Sequence, residues 1–260
     1  MVESYKPKAS ERRELWESLA VVEDWLSGGY HRARATPDFE AAQAREEARA
    51  ALSAPRPGDS LEAIAAEVSV CRACRLCEKR GKAVPGQGPS APLAMIVGEG
   101  PGAEEDERGL PFVGPAGQLL DKMLASIGLS RDDNCFIANV VKCRPPQNRD
   151  PAADEQEACM GYLRRQIAVL KPTALLCVGR IAAAALLGSD EGVGRLRGAW
   201  REFEGIPLLV TYHPSALLRD ESYKRPAWED LKKFRERLRE LSGEGAGAKG
   251  PAELPPSSAD

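Results

Sequence analysis

At 260 residues, 43% hydrophobic and 29% charged, the chain has the length for one well-buried domain plus an appendage. Its longest uncharged apolar stretches, Ser90 to Gly98 and Ile181 to Ser189, fall well short of the roughly 20 residues of a membrane span. The polar start Met1-Val2-Glu3-Ser4-Tyr5-Lys6 holds no secretory core, so a cytoplasmic protein with no membrane partner is expected. The net charge of −3 belongs to the two ends, because residues 71–240 carry 26 Lys and Arg against 23 Asp and Glu, a balance that permits contact with a phosphate backbone without demanding it.

In chain order, Ser10 to Ser27 sets Leu15, Leu19, Val22 and Leu26 three or four residues apart, which predicts a helix with one apolar stripe. Arg32 to Asp59, ending in Ala54-Pro55-Arg56-Pro57-Gly58, reads as a partly helical linker, so residues 1–60 form a helical extension. Apolar runs and helical patterns then alternate. Strands are expected at Leu93–Val97, Phe136–Val141, Ala174–Val178 and Pro207–Tyr212, with helices at Gly117–Ile127, Glu155–Leu170, Ile181–Leu187 and Trp228–Leu241. Nearly continuous apolar strands joined by helices imply a mostly parallel four-stranded sheet covered on both faces, an α/β domain over residues 61–241. Residues 242–260, rich in Gly, Pro and Ala, are expected to be disordered.

In such sheets ligands bind beyond the carboxyl ends of the strands. Gly98-Glu99-Gly100-Pro101-Gly102-Ala103 follows the first run and nominally fits a dinucleotide fingerprint. A pyrophosphate there would meet Glu99, lose a backbone donor at Pro101 and face Glu104, Glu105, Asp106 and Glu107, so no nucleotide cofactor is expected. Asn139 ends the second run, where a buried amide is costly unless hydrogen-bonded. His213 follows the fourth and precedes Pro214; the other histidine, His31, lies in the amino-terminal part.

Seven cysteines in a chain without an export signal point to reduced or metal-bound thiols. Cys71-x-x-Cys74 is a chelating knuckle, and Cys143 and Cys159 flank the loop after the second strand; four thiolates suit zinc or an iron–sulfur cluster. Cys77 forms a second Cys-x-x-Cys with Cys74, leaving the ligand choice open, and Cys135 and Cys177 read as small core residues.

Five ordered motifs between Val70 and Leu241 together resemble the family-4, iron–sulfur uracil-DNA glycosylases. They are Cys71-Arg72-Ala73-Cys74-Arg75-Leu76, Gly98-Glu99-Gly100-Pro101-Gly102, Gly109-Leu110-Pro111-Phe112-Val113-Gly114, Asn139 through Arg149, and His213-Pro214-Ser215-Ala216-Leu217-Leu218-Arg219. The resemblance implies a three-layer α/β/α fold, excision of uracil from single- or double-stranded DNA by a monomer, and a [4Fe–4S] cluster on Cys71, Cys74, Cys143 and Cys159. It implies catalysis by Glu99 and His213, and uracil binding by Gly100, Glu105, Phe112 and Asn139, with Glu105 excluding the methyl of thymine. Lys142, Arg144, Arg149, Ser215, Leu217, Leu218 and Arg219 would contact DNA, the two leucines as wedges. Two rival readings are a covalently trapping uracil-DNA binder and a noncatalytic metal-bound nucleic-acid-binding module. A trapping relative would carry a Gln-type first motif and a histidine-containing insertion, whereas Glu99 stands here and Arg144 to Ala158 holds no histidine.

Overall fold

The computed structural model describes residues 8–26, 39–40, 56 and 58–243. The chain divides into two units, Met1–Ala54 and Pro55–Asp260. In the first, helix α1 (Ala9–Leu26) carries the expected stripe, with Leu15, Leu19 and Val22 all exposed, and Trp16 packs edge-on against Phe39 at 6.4 Å between ring centroids. Most of the expected linker, and the expected tail from residue 244 onward, lie outside the described residues.

The second unit holds the sheet. Its strands are β1 (Ala94–Gly98), β2 (Cys135–Asn139), β3 (Ala174–Val178), β4 (Trp200–Phe203) and β5 (Ile206–Thr211), in the order β2-β1-β3-β5-β4. The helices are α2 (Leu61–Val70), α3 (Ala103–Arg108), α4 (Pro115–Ala125), α5 (Ala153–Leu170), α6 (Arg180–Leu187), α7 (Val193–Leu196), α8 (Pro214–Arg219) and α9 (Lys224–Ser242). Alternate strand residues serve opposite faces. Met95, Val97, Ala138, Leu175, Cys177 and Val210 pack with Met160, Leu163, Ile167 of α5 and Ala182, Ala183 of α6. Ile96, Ile137, Leu176 and Leu209 pack with Leu120 and Leu124 of α4 and Leu231 and Phe234 of α9. Because both faces are covered, β1, β2 and β3 are buried along their whole length, and the three-layer α/β/α expectation holds.

The sheet has five strands rather than the expected four. β4 pairs antiparallel with β5 through the two-residue turn Glu204-Gly205, both with positive φ (51° and 81°), the geometry of a tight hairpin. Its Arg201 and Glu202 are exposed on the sheet edge, so the segment lacks the apolar run by which the other strands were read.

Two features position the functional edge. The parallel register pairs Gly98 with Asn139 and Val178 with Thr211, which brings the glycine turn, the β2 end and the loop after β5 to one side. α2 is capped by Ser60, whose hydroxyl accepts from Ala63 N at 3.1 Å, and is tied to α5 by buried Arg165, which pairs with Asp59 and Glu67. That helix ends at Cys71.

Candidate active site

At the carboxyl edge of the sheet lies a cavity of about 530 Å³, walled by Glu99, Gly100, Glu105, Phe112, Asn139, Arg149, His213, Ser215 and Arg219 among others. A volume of this size takes a base with its sugar. Gly98 explains how two of these side chains converge. A Cβ there would stand 2.4 Å from Phe112 Cζ and 2.5 Å from the Asn139 Oδ1, so only glycine lets the ring and the amide close over the backbone. The Phe112 and His213 rings lie 5.6 Å apart.

Asn139 is 1% exposed, and among the described residues its Oδ1 has no hydrogen-bond partner. An unsatisfied buried acceptor costs about 1–3 kcal/mol, which a ligand N–H aimed at the same point relieves. His213 is neutral. Burial, helped by the positive charge of Arg219 and opposed by Glu105, holds its pKa down to about 4. Ser215 N donates to Nδ1 at 3.1 Å, which makes Nδ1 the acceptor and leaves the ring proton on Nε2. Glu99 is shifted the other way. Burial, helped by the negative charge of Asp150 and opposed by the positive charge of Arg180, raises its carboxyl to about 7. The cavity therefore combines a neutral imidazole donor with a carboxyl poised to act as a base near neutrality.

Glu105 also walls the cavity, with its carboxylate held by three backbone amides: Oε1 accepts from Val113 and Gly114 at 2.8 and 2.9 Å, and Oε2 from Gly102 at 3.1 Å. It thereby joins the glycine turn to the Phe112 loop. Arg180 and Asp150, which sequence reasoning missed, form an ion pair at the wall of the same cavity. Arg180 lies two residues beyond the end of β3, so the rule that ligands bind beyond the carboxyl ends of the strands points to it. Asp150 carried no such signal.

The cysteines form a second centre. Cys71, Cys74, Cys143 and Cys159 line one small cavity, together with Cys77, Arg80 and Lys142. Each of the four sulfurs meets a donor: Ala73 N to Cys71 Sγ at 3.4 Å, Arg80 Nη1 to Cys143 Sγ at 3.1 Å, and the backbone N–H groups of Leu76 and Lys142 to Cys74 and Cys159. Burial pushes the Cys159 thiol up to about 11, so as thiolates these groups need compensating positive charge. Among the described residues no three Cys, His, Asp or Glu gather as tightly as one metal ion requires. Four thiols lining one cavity are the donor chemistry of an iron–sulfur cluster.

The family model of the Uracil DNA glycosylase superfamily matches residues 85–232. The Type-4 uracil-DNA glycosylase of Saccharolobus solfataricus is 44% identical over 190 residues, 69% of this chain and 87% of that protein. That of Sulfurisphaera tokodaii is 44% identical over 187 residues, covering 68% and 84%, and that of Pyrobaculum aerophilum 45% over 174 residues, covering 63% and 87%. The chain belongs to the type-4 uracil-DNA glycosylases.

Within this type-4 fold, several residues expected on DNA sit elsewhere. Lys142 is 1% exposed, and its Nζ donates to Asn139 O at 2.9 Å and Gln166 Oε1 at 2.7 Å; it braces the strand end and does not reach a phosphate. Burial lowers its pKa to about 8. Leu217 is likewise buried, in the same core cluster as Phe112, whereas Leu218 is 52% exposed. On short α8 the inward face carries Pro214 and Leu217, three residues apart, so the helical turn separates two leucines that a one-dimensional reading takes as a pair. Arg149 lines the cavity yet holds Glu155 with two bonds of 2.8 and 2.7 Å, and Arg144, which does not line it, donates through Nε to Asn148 Oδ1 of the cavity wall.

Proposed function

We propose that this protein excises uracil from DNA: it draws a deoxyuridine out of single- or double-stranded DNA into the cavity, hydrolyses the N-glycosidic bond and leaves an abasic site. The observation that carries the reading is the orphaned, buried Oδ1 of Asn139 beside the neutral ring of His213. Uracil offers an N3–H to that oxygen and O4 to the same amide's NH₂, whereas cytosine reverses the pattern and leaves buried groups unpaired. A base inside a duplex is out of reach, so the nucleotide is flipped, with Phe112 stacking on its ring and Leu218 entering the space it leaves.

Cleavage of the C1′–N1 bond leaves negative charge on uracil and an oxocarbenium-like sugar. His213 Nε2–H donates to O2 as that charge grows, aided by the Gly100 N–H, an effect worth a few kcal/mol. Glu99, as carboxylate, orients a water toward C1′ and takes its proton; the hydroxyl joins C1′ and uracil departs as the anion, protonated from solvent. Glu105, fixed by its three amide bonds, stands as a wall against the methyl of thymine; excision of thymine by Glu105→Ala is the expected sign of that role, and its absence excludes it. Ser215 and Arg219 contact the phosphates, with Arg144 and Arg149 at the loop edge.

Cys71, Cys74, Cys143 and Cys159 would hold a [4Fe–4S] cluster, which would supply a rigid cross-link between the segment after α2, the loop after β2 and α5, and no electron to the hydrolysis. The protein acts as a cytoplasmic monomer without a nucleotide cofactor. The test is release of free uracil from a single-stranded oligonucleotide containing one deoxyuridine, with alkaline strand cleavage at the abasic site as a second readout. Turnover by the cluster-loaded protein that falls at least 100-fold in His213→Asn is expected; binding without release in both would make it a binding module.

A further inference from the structure

The ring that walls the cavity stands on a strained backbone. Phe112 has φ of +52°, a left-handed conformation that is strained for a side chain of its size. Its carbonyl oxygen is pressed against α4 so closely that a Cβ on Gly117 would lie 1.9 Å from it. Something must hold this turn, and Arg131, which comes from the loop before β2 and does not line the cavity, does so from behind the ring.

The Arg131 side chain is 11% exposed, and its guanidinium makes five contacts with its five N–H groups. Nη1 donates to Pro111 O and Nη2 to Phe112 O, both at 2.7 Å, so one rigid fork grips two consecutive carbonyls. Nε and Nη2 donate to Asp121 Oδ1 of α4 at 2.9 and 2.7 Å, and Nη1 reaches Gln87 Oε1 at 3.2 Å. From the other side Glu105 accepts from Val113 N and Gly114 N. The turn is thus clamped through its carbonyls by a cation and through its amides by an anion, with Phe112 between the two grips.

We infer that Arg131, anchored by Asp121, is a positioning residue for uracil recognition that acts through Phe112: it fixes the left-handed turn so that the ring lies ready against the base. A lysine cannot substitute, because a single ammonium lacks the planar fork that meets two carbonyls and a carboxylate together. Arg131 itself touches no substrate; it lowers the ordering that binding would otherwise require. The inference rests on the reading of Phe112 as the stacking face for uracil.

The experiment is a double-mutant cycle on the cluster-loaded protein with Arg131→Met, Phe112→Ala and the pair. Competitive inhibition by free uracil, single-turnover excision and affinity for an undamaged oligonucleotide are read for each. Arg131→Met should weaken uracil inhibition and slow single turnover about 10-fold, leave oligonucleotide affinity within twofold, and add less than twofold in the Phe112→Ala background. Arg131→Lys should not rescue. Should Arg131→Met fail to fold, Asp121→Asn, at the half-exposed end of the clamp, replaces it with an expected 3-fold loss and the same non-additivity. Full multiplicative losses in the pair, or uracil inhibition unchanged by the clamp variants while Phe112→Ala weakens it, overturns the inference alone. If Phe112→Ala leaves uracil inhibition unchanged, the stacking reading falls and the inference with it.

Discussion

Two titratable side chains share the cavity and are pushed in opposite directions by the same burial: His213 loses its positive charge and Glu99 resists its negative one. The proposed chemistry needs Glu99 ionised and His213 neutral, so between pH 5 and 8 only Glu99 limits it. Single-turnover excision at saturating DNA should rise about tenfold per pH unit below about 7 and level off above it. Asp150→Asn, by removing one cause of the shift, should move that midpoint down. Stability runs the other way. An acid whose folded pKa lies above its ordinary 4.5 is fully tolerated below about 4.5, and its cost grows as pH rises through 7. Glu99→Gln should therefore melt higher than the parent at pH 8, by roughly 1 kcal/mol once solvent screening of the half-buried carboxyl is allowed for, while losing activity. A flat pH–rate profile, or a Glu99→Gln protein no more stable at pH 8, would count against this assignment.

Among the elements, the loop between β2 and α5 depends on one buried carboxylate. Glu155, fully buried at the start of α5, accepts from Arg149 twice, from Arg75 at 2.7 Å and from Ala152 N at 2.8 Å, and these bonds hold its pKa at about 2. Arg75 sits between Cys74 and Cys77, so the carboxylate links the cysteine segment to the loop at the active-site edge. Its contribution is present above about pH 4.5 and is lost as pH falls toward 2. Glu155→Gln, which leaves Arg149 without its counter-charge and Arg75 with only Asp154 at 3.7 Å, should cost about 2 kcal/mol and speed bleaching of the cluster's visible absorbance in air. Retention of both would show the link to be dispensable. These links also mark where sequence reading stops. Strand ends and glycine turns announce themselves by composition, which is why Gly98, Asn139 and His213 were legible. The partner of a charged side chain is not, whether it lies 80 residues away, as Glu155 does from Arg75, or 6, as it does from Arg149, and so Arg75, Arg131 and Arg149 gave no sign of what they hold. Lys142 and Leu217 were misplaced for the related reason that burial is set by packing between elements and not by residue type.

For the whole molecule, the three-layer fold followed from alternating apolar runs, and the missing fifth strand was the one whose exposed edge supplies no such run. The unit boundary falls at Ala54, ahead of Asp59 and Ser60, which belong to the catalytic unit through Arg165 and the α2 cap. A chain beginning at Pro55 should keep its melting temperature and uracil excision within twofold. One beginning at Leu61 should lose about 3 kcal/mol, because Arg165 keeps only Glu67. Equal stability of the two truncations would remove Asp59 from the fold's supports.

The central claim is that Asn139 reads the base. Its most direct test is the single-turnover rate of the cluster-loaded protein on oligonucleotides carrying deoxyuridine or deoxycytidine at one position, compared with Asn139→Ala. The account predicts excision of uracil at least 10⁴-fold faster than cytosine by the parent, and a loss of 100-fold or more on uracil in the variant. Comparable rates on the two bases, or a variant that excises uracil as fast as the parent, would contradict it.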